Sequence, residues 1–329
     1  MSLESDPLTI ARIETAERGF CLSLRRRVLI SVFGALAVIA VLAFVLIGRR
    51  AQFLAALHSA PVSLLAAAAV LQVVALLARS EAWNICVRAA GGRISRRLLF
   101  RAAGVGYLAS VVNGSVGMVA RIASLRRAAP DATPRVGALL AAEVPIITVE
   151  VALAAIFSFT LIGPLRLSWW IPLGAVVTIA AVVAAVQRLS KRHRSGLWTG
   201  LAILRKQGRA RMTAFVLLAV CAQVARNWLM LHTIGVNVSV FDAMALLIAM
   251  FTLGQLPVGP SIGPAAAVLI LGAHGVALTA AAGALLAVTG TVGSLGYAAW
   301  AITDRIIAGR LIGRSEAIVA PVAPAPTPG

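Results

Sequence analysis

The chain has 329 residues, of which 60% are hydrophobic and only 12% charged. A soluble domain is nearer half apolar and a quarter charged, so a soluble enzyme, a secreted disulfide scaffold and a disordered chain are excluded. The formal net charge is +19, and only two of the 30 basic residues are lysines. The arginines sit at the ends of apolar blocks, as the positive-inside rule requires, and not in one basic module. Nucleic acid is therefore not an expected partner.

Residues 1–27 are polar and end in Arg25-Arg26-Arg27. The apolar block Val28–Gly48 follows. It is too long for a signal peptide and ends in Arg49-Arg50, so it reads as a retained anchor. A twin-arginine signal is the alternative, which the many later spans disfavour.

Six blocks have the length of full spans. They are Val28–Gly48, Val62–Val87, Val136–Ile162, Trp169–Gln187, Met212–Ile234 and Val276–Ile302. Two more apolar stretches are interrupted. Leu98–Leu125 is broken by Asn113-Gly114-Ser115-Val116-Gly117, and Ala243–Ala273 by the run Pro257–Pro264. Broken backbone at membrane depth persists only where protein or a water-filled cavity satisfies it. Both breaks predict re-entrant hairpins.

Placing the N-terminus inside puts 25 of the 30 basic residues in cytoplasmic segments. Both termini are then cytoplasmic, and the hairpins open on opposite sides. The expected architecture is all-α and integral to the cytoplasmic membrane: six full transmembrane helices plus two broken-helix hairpins. Residues 28–306 form the membrane domain, with halves at about 28–163 and 168–306 related as an inverted repeat. Residues 1–27 and 307–329 are cytoplasmic tails, the second Ala/Pro-rich. Leu197–Gln207 reads as a short interfacial helix.

Ionisable groups inside a span usually face the bundle interior and find partners. Ser80, Glu81, Asn84 and Arg88 share one helical face, and Glu81 and Arg88 lie toward the cytoplasmic end, within reach of water. Glu143 and Glu150 share another face. Gln223, Arg226, Asn227 and Met230 share a third. These charges admit two readings. One is a polar cavity in which Arg226 meets an anionic headgroup and the glutamates balance it. The other is a set of internal ion pairs that hold helices together.

The segment from Asn113 offers free backbone N–H groups, and a half-helix starting at about Gly117 would turn its positive end to an anion. Arg121, one turn on, suits a phosphate. Asp242 and Asp304, at element ends, read as caps or surface charges.

Cys21, Cys86 and Cys221 are far apart and form no pair motif. The histidines show no metal spacing, so no metal and no cofactor is expected. No Walker motif, paired-aspartate motif or Ser/His/Asp set is present, and the chain is not expected to be an enzyme.

The run from Trp83 through Gly91-Gly92, Asn113, Gly117, Arg121 and Glu143, followed by the Pro257–Gly263 break, resembles a known family. It is the transmembrane flippase domain of lysylphosphatidylglycerol synthases and their stand-alone relatives. The resemblance runs from about residue 30 to 305. It implies a multi-pass protein that moves or handles a phospholipid or isoprenoid-type lipid, without a synthase domain. Several family positions differ. Gly117-Met118-Val119-Ala120-Arg121 lacks the glutamate of Gly-Glu-x-x-Arg. Glu143-Val144-Pro145-Ile146-Ile147 keeps only the first residue of Glu-Arg-x-x-Asp. Ala266 replaces an acid, and an arginine near Thr289 is absent. These losses imply a less polar substrate or a decayed transport function.

The expected substrate-binding set is Asn113, Gly117, Arg121, Glu143, Glu150, Arg226, Asn227, Pro257 and Gly263. The expected partner is a membrane lipid, either an anionic phospholipid or an isoprenoid lipid. The alternative is a non-transporting membrane partner of a lipid-modifying enzyme.

Overall fold

A computed structural model describes residues 46–110, 114–192, 208–235, 238–253 and 262–318, with scattered positions between 33 and 44 and at 198, 201 and 203. All regular structure among them is helical. In chain order the helices are α1 (Arg50–His58), α2 (Val62–Ala89), α3 (Arg96–Ser110) and α4 (Gly114–Ala128). The interrupted helix α5 follows (Val136–Leu165), then α6 (Trp170–Arg192) and α7 (Arg209–Thr233). The chain continues through α8 (Val240–Leu253), α9 (Ile262–Leu271) and α10 (Val276–Ile318).

Five of these, α2, α5, α6, α7 and α10, are long and apolar enough to cross a membrane. The sixth expected span, Val28–Gly48, lies mostly outside the described residues, as does most of Leu197–Gln207. The outer surface agrees with an apolar surrounding. Val62 and Val70 on α2, Trp169, Trp170 and Val177 around α6, and Val288 and Val292 on α10 are all exposed. A soluble protein rarely leaves so many large apolar groups uncovered. The architecture is that of an all-helical, multi-pass membrane protein.

Helix boundaries follow local chemistry. Pro61, with its extended backbone, precedes α2, and Ala90 closes it on the carbonyl of Cys86. Gly91 then takes a φ of 95°, a left-handed conformation that side chains resist. Ser239 and Asp242 cap α8 reciprocally: the Asp242 N–H donates to Ser239 Oγ, and the Ser239 N–H to Asp242 Oδ2. Asp242 is thus a cap, as expected. Helix α5 is interrupted just before Pro145, whose ring cannot donate a hydrogen bond, and again at a 3-10 turn over Ser158–Leu161.

The buried side chains form two main cores. One joins α2, α3, α4 and α5, around Trp83, Leu99, Leu125, Leu139 and Ile146, and reaches Met212 on α7. The other joins α7, α8, α9 and α10, around Met230, Leu246, Leu271 and Leu286. Helices α2 and α7 lie side by side between them.

Each interrupted stretch is a pair of helices. The first pair is α3 and α4, which pack tightly. A Cβ at Gly117 would fall 2.7 Å from the Gly106 carbonyl oxygen and 2.6 Å from Ser110 Cβ. Gly117 therefore lies inside α4, where it permits this approach, and the helix starts at Gly114, earlier than the sequence suggests. In the second pair, α8 leads to α9, and α9 packs on α10. Gly263 meets the Gly283 backbone there, with a hypothetical Cβ only 2.6 Å from the Gly283 carbonyl oxygen.

Candidate functional site

A cavity of about 640 Å³ opens between these helices. Its wall carries Gly117, Arg121, Glu143, Glu150, Arg226 and Gly263. Six of the nine expected residues thus come together. Asn113 and Pro257 lie outside the described residues. Asn227 is fully buried beside the cavity wall, and both polar atoms of its amide lack a partner among the described residues.

Two ion pairs cross the cavity wall. Arg79 on α2 reaches Glu150 on α5, with nitrogen and oxygen 3.0 Å apart. Arg121 on α4 pairs with Glu143 on α5. The Arg121 guanidinium also stacks on the Trp83 ring, 4.1 Å from its centroid. Its Nε has no partner among the described residues. These charges thus line the cavity and also pair across helices, Arg79 with Glu150 and Arg121 with Glu143.

Arg226 differs from the other two arginines. It is 5% exposed, and no carboxylate pairs with it among the described residues. Its Nη1 donates to the Gln72 side-chain oxygen, and its Nε has no partner among the described residues. Gln223, one turn back on α7, donates to that same Gln72 oxygen at 3.0 Å. The glutamates expected to balance Arg226 are engaged elsewhere, by Arg79 and Arg121. A buried guanidinium held only by a neutral amide is an expensive arrangement unless something anionic visits it.

Space for this group comes from α10. A Cβ at Gly290 would lie 3.2 Å from Arg226 Nη1, and one at Gly293 would lie 2.6 Å from Gln72 Cγ. Gln72, Arg79 and Gly290 all line the cavity. The sequence did not single out Gln72 or Gly290, because a lone glutamine and a helical glycine carry no periodic signal. Arg79 stands within an apolar block, and its partner lies on another helix, which the sequence pattern does not reveal.

Two further carboxylates tie the helix ends. Glu81 is 4% exposed and accepts from Arg96 Nε at 2.8 Å and Asn84 Nδ2 at 3.3 Å, with Arg211 at 3.5 Å. It is a buried junction of α2, α3 and α7, not a solvated charge; only Arg88 is exposed as expected. Asp304 on α10 is likewise buried and holds Arg97 and Arg101 of α3, so it is an interhelical clamp and not a surface charge. Between these junctions and the cavity, Ser80 Oγ lies 3.2 Å from Tyr107 Oη and accepts from Tyr297 Oη at 3.1 Å.

No family model matches the chain, and neither a curated protein nor a solved structure does.

Proposed function

We propose that this chain is a flippase-like protein of the cytoplasmic membrane that admits the headgroup of a phospholipid or isoprenoid-type lipid to its cavity. The observation that carries the reading is the cavity itself: about 640 Å³, lined by charged groups, inside a bundle whose exterior is apolar. Charges are costly at membrane depth and mark paths for polar cargo. Lipid tails would stay in the bilayer while the headgroup passes along the polar wall.

The proposed topology has six spans, two re-entrant hairpins and inverted halves, with both termini cytoplasmic. The contacts support an inverted repeat. Helices α2 and α7, the corresponding members of each half, meet in the middle. The first arm of one hairpin, α3, lies against α10; the first arm of the other, α8, lies against the second part of α5. Each hairpin thus contacts the last span of the opposite half. Sites between such halves are where alternating access exposes a substrate to either side. The short motifs shared with the lysylphosphatidylglycerol synthase flippase domain point the same way.

The test is lipid movement in proteoliposomes carrying trace fluorescent phosphatidylglycerol, a polyprenyl phosphate or a neutral isoprenoid. A membrane-impermeant quencher should remove inner-leaflet signal with time only when the protein is present. Folded protein that moves none of the three would sink the transport reading and leave the chain as a binding partner of a lipid-modifying enzyme.

A further inference from the structure

The halves can be compared residue by residue. One constant offset carries Val62 to Arg209, the first residues of α2 and α7, and carries Arg79 to Arg226. A second constant offset carries Val136 to Val276, the first residues of α5 and α10. It carries Glu143 to Gly283 and Glu150 to Gly290. Contacts agree with these matches. Arg79 faces Glu150 in the first half, and Arg226 faces Gly290 in the second. Glu143 holds Arg121 of α4, and Gly283 stands against the backbone of Gly263 in α9.

At these two positions the second half carries glycine where the first half carries glutamate. At Gly283 the carboxylate is absent, and the backbone of Gly263 packs against the glycine. At Gly290 the carboxylate is gone, but the arginine remains. Among the described residues the cavity wall holds Arg79, Arg121 and Arg226 against Glu143 and Glu150, which leaves one uncompensated positive charge.

We propose that the cavity binds a singly charged oxyanion, a phosphodiester or carboxylate, against Arg226, in the place where the first half holds the Glu150 carboxylate. Gln72 and Gln223 complete the seat. Gln72 turns its oxygen to both Arg226 and Gln223, so its own N–H₂ remains to donate. Gly290 leaves the room that a side chain would take. One negative charge neutralises the wall. A neutral headgroup leaves Arg226 uncompensated, and a cationic aminoacylated headgroup adds repulsion. That the oxyanion belongs to a lipid rests on the function proposed above; the anion seat at Arg226 does not.

Thermal unfolding of the purified full chain in a neutral detergent tests this. The probes are dioctanoyl phosphatidylglycerol, dioctanoylglycerol and dimethyl phosphate. Phosphatidylglycerol should raise Tm in a saturable way, and dioctanoylglycerol should not. Arg226→Gln should weaken the phosphatidylglycerol effect roughly ten- to hundredfold in concentration, the range for losing a charged hydrogen bond. Gly290→Asp places a carboxylate beside Arg226. It should raise Tm without ligand relative to Gly290→Ala, and abolish the response to phosphatidylglycerol. A misfolded variant could not show that rise. Equal responses in wild type and Gly290→Asp, or equal responses to phosphatidylglycerol and dioctanoylglycerol, would overturn the anion seat. Dimethyl phosphate acting as strongly as phosphatidylglycerol would keep the seat and overturn the lipid reading.

Discussion

Arg121 and Arg226 look alike along the chain, each an arginine within an apolar block. Their surroundings make them different in kind. Arg121 is locked between Glu143 and Trp83, so removing it strands a buried carboxylate. Breaking such a pair from one side costs about 3–5 kcal/mol, whereas removing both partners costs much less. Arg121→Ala should therefore lower stability by about that amount, and Arg121→Leu with Glu143→Leu should recover most of it. Denaturant unfolding in micelles across the four-member cycle measures the coupling; additive losses would rule out the pair. The sequence made Arg121 the natural anion ligand, because it follows a helix start and needs no partner to be seen. Pairing depends on which helix lies opposite, and helical periodicity holds no such information. Arg226 was legible as a deep charge, but its lack of a carboxylate was not.

At the scale of elements, close backbone approach decides the two hairpins. Gly117 sits where any Cβ would strike Gly106 or Ser110, and backbone cannot yield as a flexible side chain can. Gly117→Ala should cost about 1–3 kcal/mol, the usual range for overpacking. Gly174, in α6, has nothing within 4 Å of an added Cβ. Gly174→Ala should leave stability unchanged or raise it by up to about 1 kcal/mol through helix propensity. Comparison of the two melting temperatures separates packing from propensity. Equal effects would mean that the α3–α4 contact does not constrain the fold. The interruptions were readable from the chain because Gly and Pro punctuate long apolar runs. The role of Gly117 was not, since a glycine that ends a helix and a glycine that lets two helices touch are the same letter.

At the scale of the whole molecule, charge bias along the chain and length of apolar blocks anticipated the five long helices, although α10 continues to Ile318, well past the expected end at Ile302. They did not anticipate the junctions at Glu81 and Asp304, which bury carboxylates among arginines taken to be free anchors. Arg96 and Arg97 are neighbours on α3, yet they bind carboxylates on α2 and α10 respectively. Successive side chains on a helix point about 100° apart, so α3 is held from two sides at once. Asp304→Asn should loosen the α3 end and raise proteolysis or hydrogen exchange there, with little effect on α6. Uniform protection in both would argue against the clamp. The proposed orientation is checked with an impermeant thiol reagent on cells, using a chain without Cys21, Cys86 and Cys221. A cysteine at Arg166 should label from outside and one at Arg88 only after lysis. The reverse pattern would invert the topology.

The mismatch between the halves also bears on descent. Paired charges can vanish together without leaving an isolated buried ion, so Arg79 with Glu150, and Arg121 with Glu143, should be gained or lost as couples among relatives. Arg226 has no such companion among the described residues. It should vary with the cargo instead, persisting in lineages whose cargo supplies the negative charge and disappearing, or acquiring an acid at the Gly290 position, in those whose cargo does not.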